Sequence, residues 1–314
     1  MNELDKVEIL TLVDNYIDMT ATDNNEMIYR AGTRVKGGSR KSILAEHGFS
    51  AVVRTMSHGR TRVMLFDFGY SGIAAPYNAG QLGVPMGEIE AIALSHGHSD
   101  HMGGFRELVG MIGKPGIELA VHPGAFRAPR YVKVGAEQFK FFSPRFTREM
   151  AEEAGVRVVE AKGPYPMLGG DVLFLGQIPR QTAFETGPPN AYYEEAGAEK
   201  RDAIEDDTSL VMNLKGKGLV VLSGCAHSGI VNTVRYAREV TGIQKVHAVM
   251  GGFHLNGPAL IPIVGRTIEE LRQLSPRYIV PTHCTGRQSI QRIEAEMPEN
   301  FILNMSGTRL TFAA

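Results

Sequence analysis

The stretch LSHGHSDHMGG, residues 94–104, constrains this chain more than any other feature. It places three histidines and one carboxylate, His96, His98, Asp100 and His101, within six residues directly after the apolar run IEAIALS. On extended chain, His96 and His98 point to the same side, because successive side chains alternate. Asp100 and His101 follow where the chain turns toward a helix, so they can face a second, neighbouring point. Gly103 and Gly104 remove bulk where that helix packs. Imidazoles and a carboxylate gathered at a strand end suit a borderline divalent cation such as Zn²⁺, and their split into two pairs suits two ions.

The rest of the chain reads as strands followed by helices, twice. VEILTLVDNY and SAVVRTMSHGRTRVMLFDFG read as strands, IELAVHP as a short one, and GGFRELVGMIGK as a helix closed by Lys114 and Pro115. SPRFTREMAEEAGVRVVEA reads as helix, glycine turn and strand. TSLVMNL and LVVLSG form a buried hairpin around Lys-Gly-Lys-Gly, SGIVNTVRYAREVTG a helix, VHAVMGG a strand, PIVGRTIEELRQLSP a helix and RYIVPTH a strand. The expectation is one domain, 1–314, of two similar halves, about 1–175 and 208–314. They are joined by an irregular segment, 176–207, with the character of a substrate lid. Arg180, Tyr192 and Tyr193 lie in that segment.

Charge and composition exclude several function classes. Lys plus Arg number 33 against 34 Asp plus Glu, a net charge of -1, which gives no broad basic footprint for nucleic acid and no polybasic case for membranes. No apolar run approaches the roughly 18 residues of a membrane span. The first residues, MNELDKVEIL, are unlike a secretory signal. Two cysteines in 314 residues do not make a disulfide scaffold. These readings lead to the expectation of a soluble cytoplasmic protein acting on a small molecule, without nucleic acid or membrane partners; a homodimer stays open.

His-x-His-x-Asp-His after an apolar strand resembles the signature of the metallo-β-lactamase superfamily. Within it the chain is similar to a branch of metal-dependent hydrolases related to dihydropterin-linked ribofuranosyl-aminobenzene phosphate synthase. AEHGFS (45–50), LFDFGYS (65–71), VHPGAF (121–126), GQIPR with its following Glu185, DDTSLV (206–211), LSGCAHSGIVN (222–232), GGFHL (251–255) and PTHCTG (281–286) carry the resemblance. It implies an αββα sandwich with a dinuclear site on loops at strand ends.

The resemblance also implies three further ligands. The late histidine maps onto His283. The usual bridging aspartate follows a strand and a glycine, but here that position is Cys225, leaving His227 as the best match for the remaining ligand. Asp207, before the hairpin, is the weaker alternative. Cys225 is either a thiolate bridge or a small buried residue beside the metals. Asp67 is expected to brace the metal loop. His254, after a strand and a glycine pair, is expected either to be a metal ligand or to protonate a leaving group or hold an oxyanion from beside the metals. His47 and His122 are equally well read as lining the pocket or as structural. Cys225 and Cys284 both follow strands that end at the site, which allows them to lie close together.

The expected chemistry is hydrolysis of a small-molecule ester, phosphoester or lactone by hydroxide shared between two divalent ions, most simply Zn, with Mn or Fe also fitting the ligand set. Asp100 orients the nucleophile in that scheme. Two alternatives stand beside it. One is a synthase joining an aminobenzoate-type acceptor to a phosphoribosyl donor in pterin cofactor metabolism. The other is a non-hydrolytic redox or binding member of the superfamily; a flavodiiron-type site would replace His98 by Glu.

Overall fold

The computed structural model describes residues 1–141 and 146–314. Two large sheets face each other. The first runs Arg157–Glu160, Glu118–Val121, Ala91–Ala93, Arg60–Phe66, Ser50–Ser57, Lys6–Val13, Thr308–Ala313 and Ile28–Arg30. The second runs Tyr165–Met167, Val172–Phe174, Ser209–Leu214, Gly218–Ser223, Val246–Gly252 and Tyr278–Thr282, with Glu3–Leu4 beside Ser209–Leu214.

Side-chain alternation along the strands builds the layers. Ala51, Val53, Met64 and Phe66 of the first sheet turn inward to meet Leu210, Met212, Val220 and Leu222 of the second. Their neighbours Val52, Val63 and Leu65 face outward and pack under Ala74–Gln81 and Phe105–Ile112. Val211, Leu219 and Val221 face the other way, under Ile230–Thr241 and Val264–Leu274. Both faces of each sheet are therefore covered, and the result is a helix–sheet–sheet–helix sandwich.

The helix expected over 103–114 occupies Phe105–Ile112 and stops at Gly113, whose left-handed φ of 65° ends it. In the stretch beginning at Ser143, the helix is Arg148–Glu153; Ser143 to Arg145 lie outside the described residues.

Two expectations about organisation need correction. The halves do not divide at 175 and 208. Residues 165–174 already form edge strands of the second sheet, Glu3–Leu4 joins that sheet from the N-terminus, and Thr308–Ala313 returns to the first sheet between Lys6–Val13 and Ile28–Arg30. Nor is 176–207 irregular throughout. Ala191–Glu195 and Ala198–Arg201 form a hairpin, and Ala191–Glu195 pairs with Arg130–Val134, making a separate four-stranded sheet with Glu137–Phe141. A pairing between segments 60 residues apart leaves no local periodic signal.

Candidate metal centre

Every strand that feeds the site does so at its C-terminal end. Asp67 follows Arg60–Phe66, Ser95 and His96 follow Ala91–Ala93, Cys225 follows Gly218–Ser223, His254 follows Val246–Gly252, and His283 follows Tyr278–Thr282. The two sheets touch here. A Cβ on Gly224 would lie 2.2 Å from Ser95 Oγ and 2.8 Å from Asp67 Oδ2, so only glycine lets the second sheet deliver Cys225 to the loop carried by the first.

The donors converge around Cys225. One group is Asp100, His101, Cys225 and His283; a second is His96, Cys225 and His227; in each group the ligand atoms lie within 4.8 Å of one another. His96 Nε2 stands 3.2 Å from His227 Nε2. His101 Nε2 lies 3.0 Å from Cys225 Sγ, and His283 Nε2 lies 3.0 Å from Asp100 Oδ2. The His98 ring meets those of His96 and His227 edge-on, at 4.4 and 4.8 Å between centroids. Cys225 thus occupies the shared position between the two groups.

Buried polar partners aim these side chains. Asp67 is fully buried; it accepts from the Ser95 amide at 2.7 Å and the Ser95 hydroxyl at 2.8 Å, and pairs with His101 Nδ1 at 2.7 Å. Ser95 Oγ also contacts His96 Nδ1 at 2.9 Å. His283 Nδ1 sits 3.2 Å from Asn15 Oδ1, and the His283 amide donates to Asp14 Oδ1 at 2.9 Å. Such partners fix the orientation of ligating imidazoles.

Charge is divided across the site. Burial pushes His96 and His227 well below the usual imidazole range, and pushes His98 down to about 3, so these rings are neutral and present lone pairs. Burial also opposes charge on His101, but Asp67 and Asp100 overcome it and hold that ring up to about 9. Burial would raise Asp100; His101 and His283 outweigh it and keep the carboxylate anionic. The neutral imidazoles of His96, His98 and His227 and the anionic Asp100 carboxylate, gathered about the Cys225 sulfur, suit divalent cations, and a cation bound there would displace the proton from His101 Nε2.

The remaining sequence-predicted residues separate. Asp207 is not a donor. Its two oxygens accept from the His227 and Ser228 amides, each at 2.9 Å, so it holds the ligand loop from beneath. Arg180 turns inward to donate to the Ala203 carbonyl and does not line the main cavity. His47 is exposed at the rim, with Nε2 3.6 Å from Asp100 Oδ2 and its ring 4.8 Å from that of His283. His122 is buried outside the donor groups, its Nδ1 accepting from the Gly124 amide. His254 lies against His227, with ring centroids 4.1 Å apart, and its buried Nδ1 has no partner among the described residues. Tyr192 and Tyr193 stack under Lys133 and Arg127; the 176–207 segment lines the cavity through Pro188, Asn190, Ala191 and Ile204.

Sequence reasoning missed a buried ion pair that ties the small sheet to the metal loop. Arg130 binds the Asp206 carboxylate with both terminal nitrogens and pairs with Asp202 at 2.8 Å; Asp206 Oδ2 also accepts from the Gly97 amide at 2.9 Å, between His96 and His98. The adjacent acids Asp206 and Asp207 were the visible signal; a basic partner 76 residues away was not.

Above the donors opens a cavity of about 870 Å³, within the usual range for small-molecule sites. Its walls include Met102, Phe105, Val132, Phe146 and Met150; Asp100, Cys225, His227, His254 and Cys284 line its polar end.

The fold, the strand-end histidines and the two candidate donor groups define a protein of the αββα class with a candidate metal centre. The model of the metallo-beta-lactamase superfamily matches residues 45–240, and the chain belongs to that superfamily. It is 29% identical over 309 residues, 96% of this chain and 95% of the relative, to 7,8-dihydropterin-6-methyl-4-(beta-D-ribofuranosyl)-aminobenzene-5'-phosphate synthase of Methanocaldococcus jannaschii. An uncharacterized protein of the same organism, MJ0448, is 28% identical over 257 residues, 81% of this chain and 89% of the relative. Among solved structures, Tm1679, a metal-dependent hydrolase of the beta-lactamase superfamily, superposes with a TM-score of 0.71 at 22% identity, covering 98% of this chain and all of that one. No helix among the described residues is long and apolar enough to cross a membrane.

Proposed function

We infer that this chain is a metal-dependent hydrolase acting on an ester, phosphoester or lactone of a small molecule with an apolar body. One observation carries the reading: two donor groups share Cys225 at the polar end of a largely apolar cavity. Divalent ions held there, most simply zinc, supply Lewis acidity and lower the pKa of water toward neutrality. His96, His98, His227 and Cys225 would hold one ion, and Asp100, His101, His283 and Cys225 the other.

The chain's own residues do the rest. Met102, Phe105, Phe146 and Met150 take the apolar body and exclude water from the reacting end. Asp100, anchored by His283 at 3.0 Å, is fixed to orient a water. His254, which lines the cavity and whose Nδ1 has no partner among the described residues, would deliver a proton to the leaving oxygen.

A second reading follows from the relative of known name. Identity of 29% along nearly the whole chain to a pterin-pathway synthase supports the synthase reading, in which an aminobenzoate-type acceptor is joined to a phosphoribosyl donor with its aromatic part among the same apolar side chains. The two readings part in one assay. Metal-loaded protein is offered phosphodiesters, lactones and thioesters in one set, and phosphoribosyl diphosphate with 4-aminobenzoate in the other. Turnover of the first set, lost in His98→Ala, supports hydrolysis. Release of diphosphate only when the aminobenzoate is present overturns it in favour of the synthase.

A further inference from the structure

A third donor group remains beside the two already described. Cys225, His254 and Cys284 bring their ligand atoms within 4.8 Å of one another, and all three line the main cavity. The backbone is built to make them meet. Cys225 and Cys284 follow strands separated in the sheet by Val246–Gly252. A Cβ on Gly252 would lie 2.5 Å from Cys284 Sγ and 3.1 Å from the Cys225 Cα, so a side chain there would occupy the space through which the cysteines approach. Each contributing loop also places a non-glycine residue in the left-handed region at or next to the donor: Ala226 at φ 52°, His254 at 44° and His283 at 45°. Such strain, repeated on three neighbouring strand ends, collects where a site is held in a set geometry. Cys284 Sγ meets the Cys225 carbonyl at 3.5 Å and hydrogen-bonds within the trio to the Cys225 and His254 side chains, while His254 Nδ1 has no partner among the described residues.

We propose that Cys225, His254 and Cys284 form a third metal-binding group, selective for a thiophilic divalent cation such as cadmium or zinc, with an open position facing the cavity. Two thiolates and an imidazole with a vacancy suit such ions and disfavour hard ones. Because Cys225 also belongs to both other groups, filling this one withdraws the shared sulfur from them. It also engages His254, removing the proton donor invoked above. Excess thiophilic metal therefore inhibits, whereas manganese does not. The binding proposal stands whether or not the catalytic reading does, since it concerns affinity alone.

Reduced, metal-free protein titrated with one equivalent of Cd²⁺ tests it through the sulfur-to-cadmium charge-transfer absorption. The wild-type protein should show twice the absorption of Cys284→Ser and twice that of Cys225→Ser, and the double variant none. Cys284→Ala, checked for an unchanged thermal transition, should match Cys284→Ser. His254→Ala should weaken Cd²⁺ binding at least tenfold while keeping the full two-thiolate absorption at saturation. Full absorption in both Cys284 variants would overturn the proposal, placing cadmium on Cys225 within the other groups; so would unchanged affinity in His254→Ala. Activity is not needed for any of these readouts, so a failed hydrolase assay leaves the outcome legible.

Discussion

His96 and His227 face each other nitrogen to nitrogen, with Nε2 atoms 3.2 Å apart at the junction of the two sheets. Burial keeps both rings neutral. The other nitrogen of His96 contacts Ser95 Oγ, whereas that of His227 has no partner among the described residues. Two neutral imidazole nitrogens aimed at one point are an arrangement that a cation would stabilise by taking a lone pair from each. His227→Ala should therefore lose about one equivalent of metal and nearly all activity. Metal analysis of that variant checks this directly.

Asp67 touches none of the cavity and yet should matter almost as much. Asp67→Ala strips partners from the Ser95 amide and hydroxyl and from His101 Nδ1, all buried. Loss of such an outer partner typically weakens metal affinity about 10–100-fold, and each orphaned buried group costs about 1–3 kcal/mol. Competition with a chelator measures the first and denaturant unfolding the second. Unchanged chelator competition would remove Asp67 from the site's support.

The pair Arg130–Asp206 links the small sheet to Gly97 inside the metal loop. Breaking a buried pair from one side is expected to cost about 3–5 kcal/mol, because the partner is left charged in the interior. Arg130→Met should be that destabilising, and in surviving folded protein it should also lower metal content. Replacing Arg130, Asp202 and Asp206 together by apolar residues should restore part of the stability without restoring the position of Gly97. Unfolding curves with parallel metal analysis separate the two effects.

His247 supplies a pH test away from the metal centre. It lies on Val246–Gly252, edge-on to Tyr278 and to Phe312, each at 5.3 Å, where the second sheet meets the C-terminal strand. Burial, then Lys217, Lys245 and Arg277, push its pKa down to about 4 from 6.5. A depressed histidine contributes stability above its unfolded pKa and loses it as pH falls through the folded value. The window is therefore pH 6.5 to 4. Discounted for partial exposure, the loss is about 1–2 kcal/mol. His247→Phe should flatten the stability profile within that window.

The parts of the site written locally were legible from sequence. His96, His98, Asp100 and His101 announce themselves by spacing after an apolar strand, and His283 and Cys225 by their places at strand ends. What was not legible depends on distant pairing. Asp207 was ambiguous because its neighbour and itself are both acids at a strand start; only the folded chain shows Asp206 reaching Arg130 and Asp207 reaching the His227 amide. The hairpin within 176–207 was hidden for the same reason, since its partner strand is Arg130–Val134. The return of Thr308–Ala313 to the first sheet follows from its register with Lys6–Val13, which alternation alone does not specify.

A two-ion centre sharing Cys225 can be counted. Elemental analysis of protein purified without added metal, beside His101→Ala, does so. The wild-type protein should hold two equivalents of divalent metal, with a clear fall in the variant. Absence of metal from the wild-type protein, or an unchanged content in His101→Ala, would contradict it.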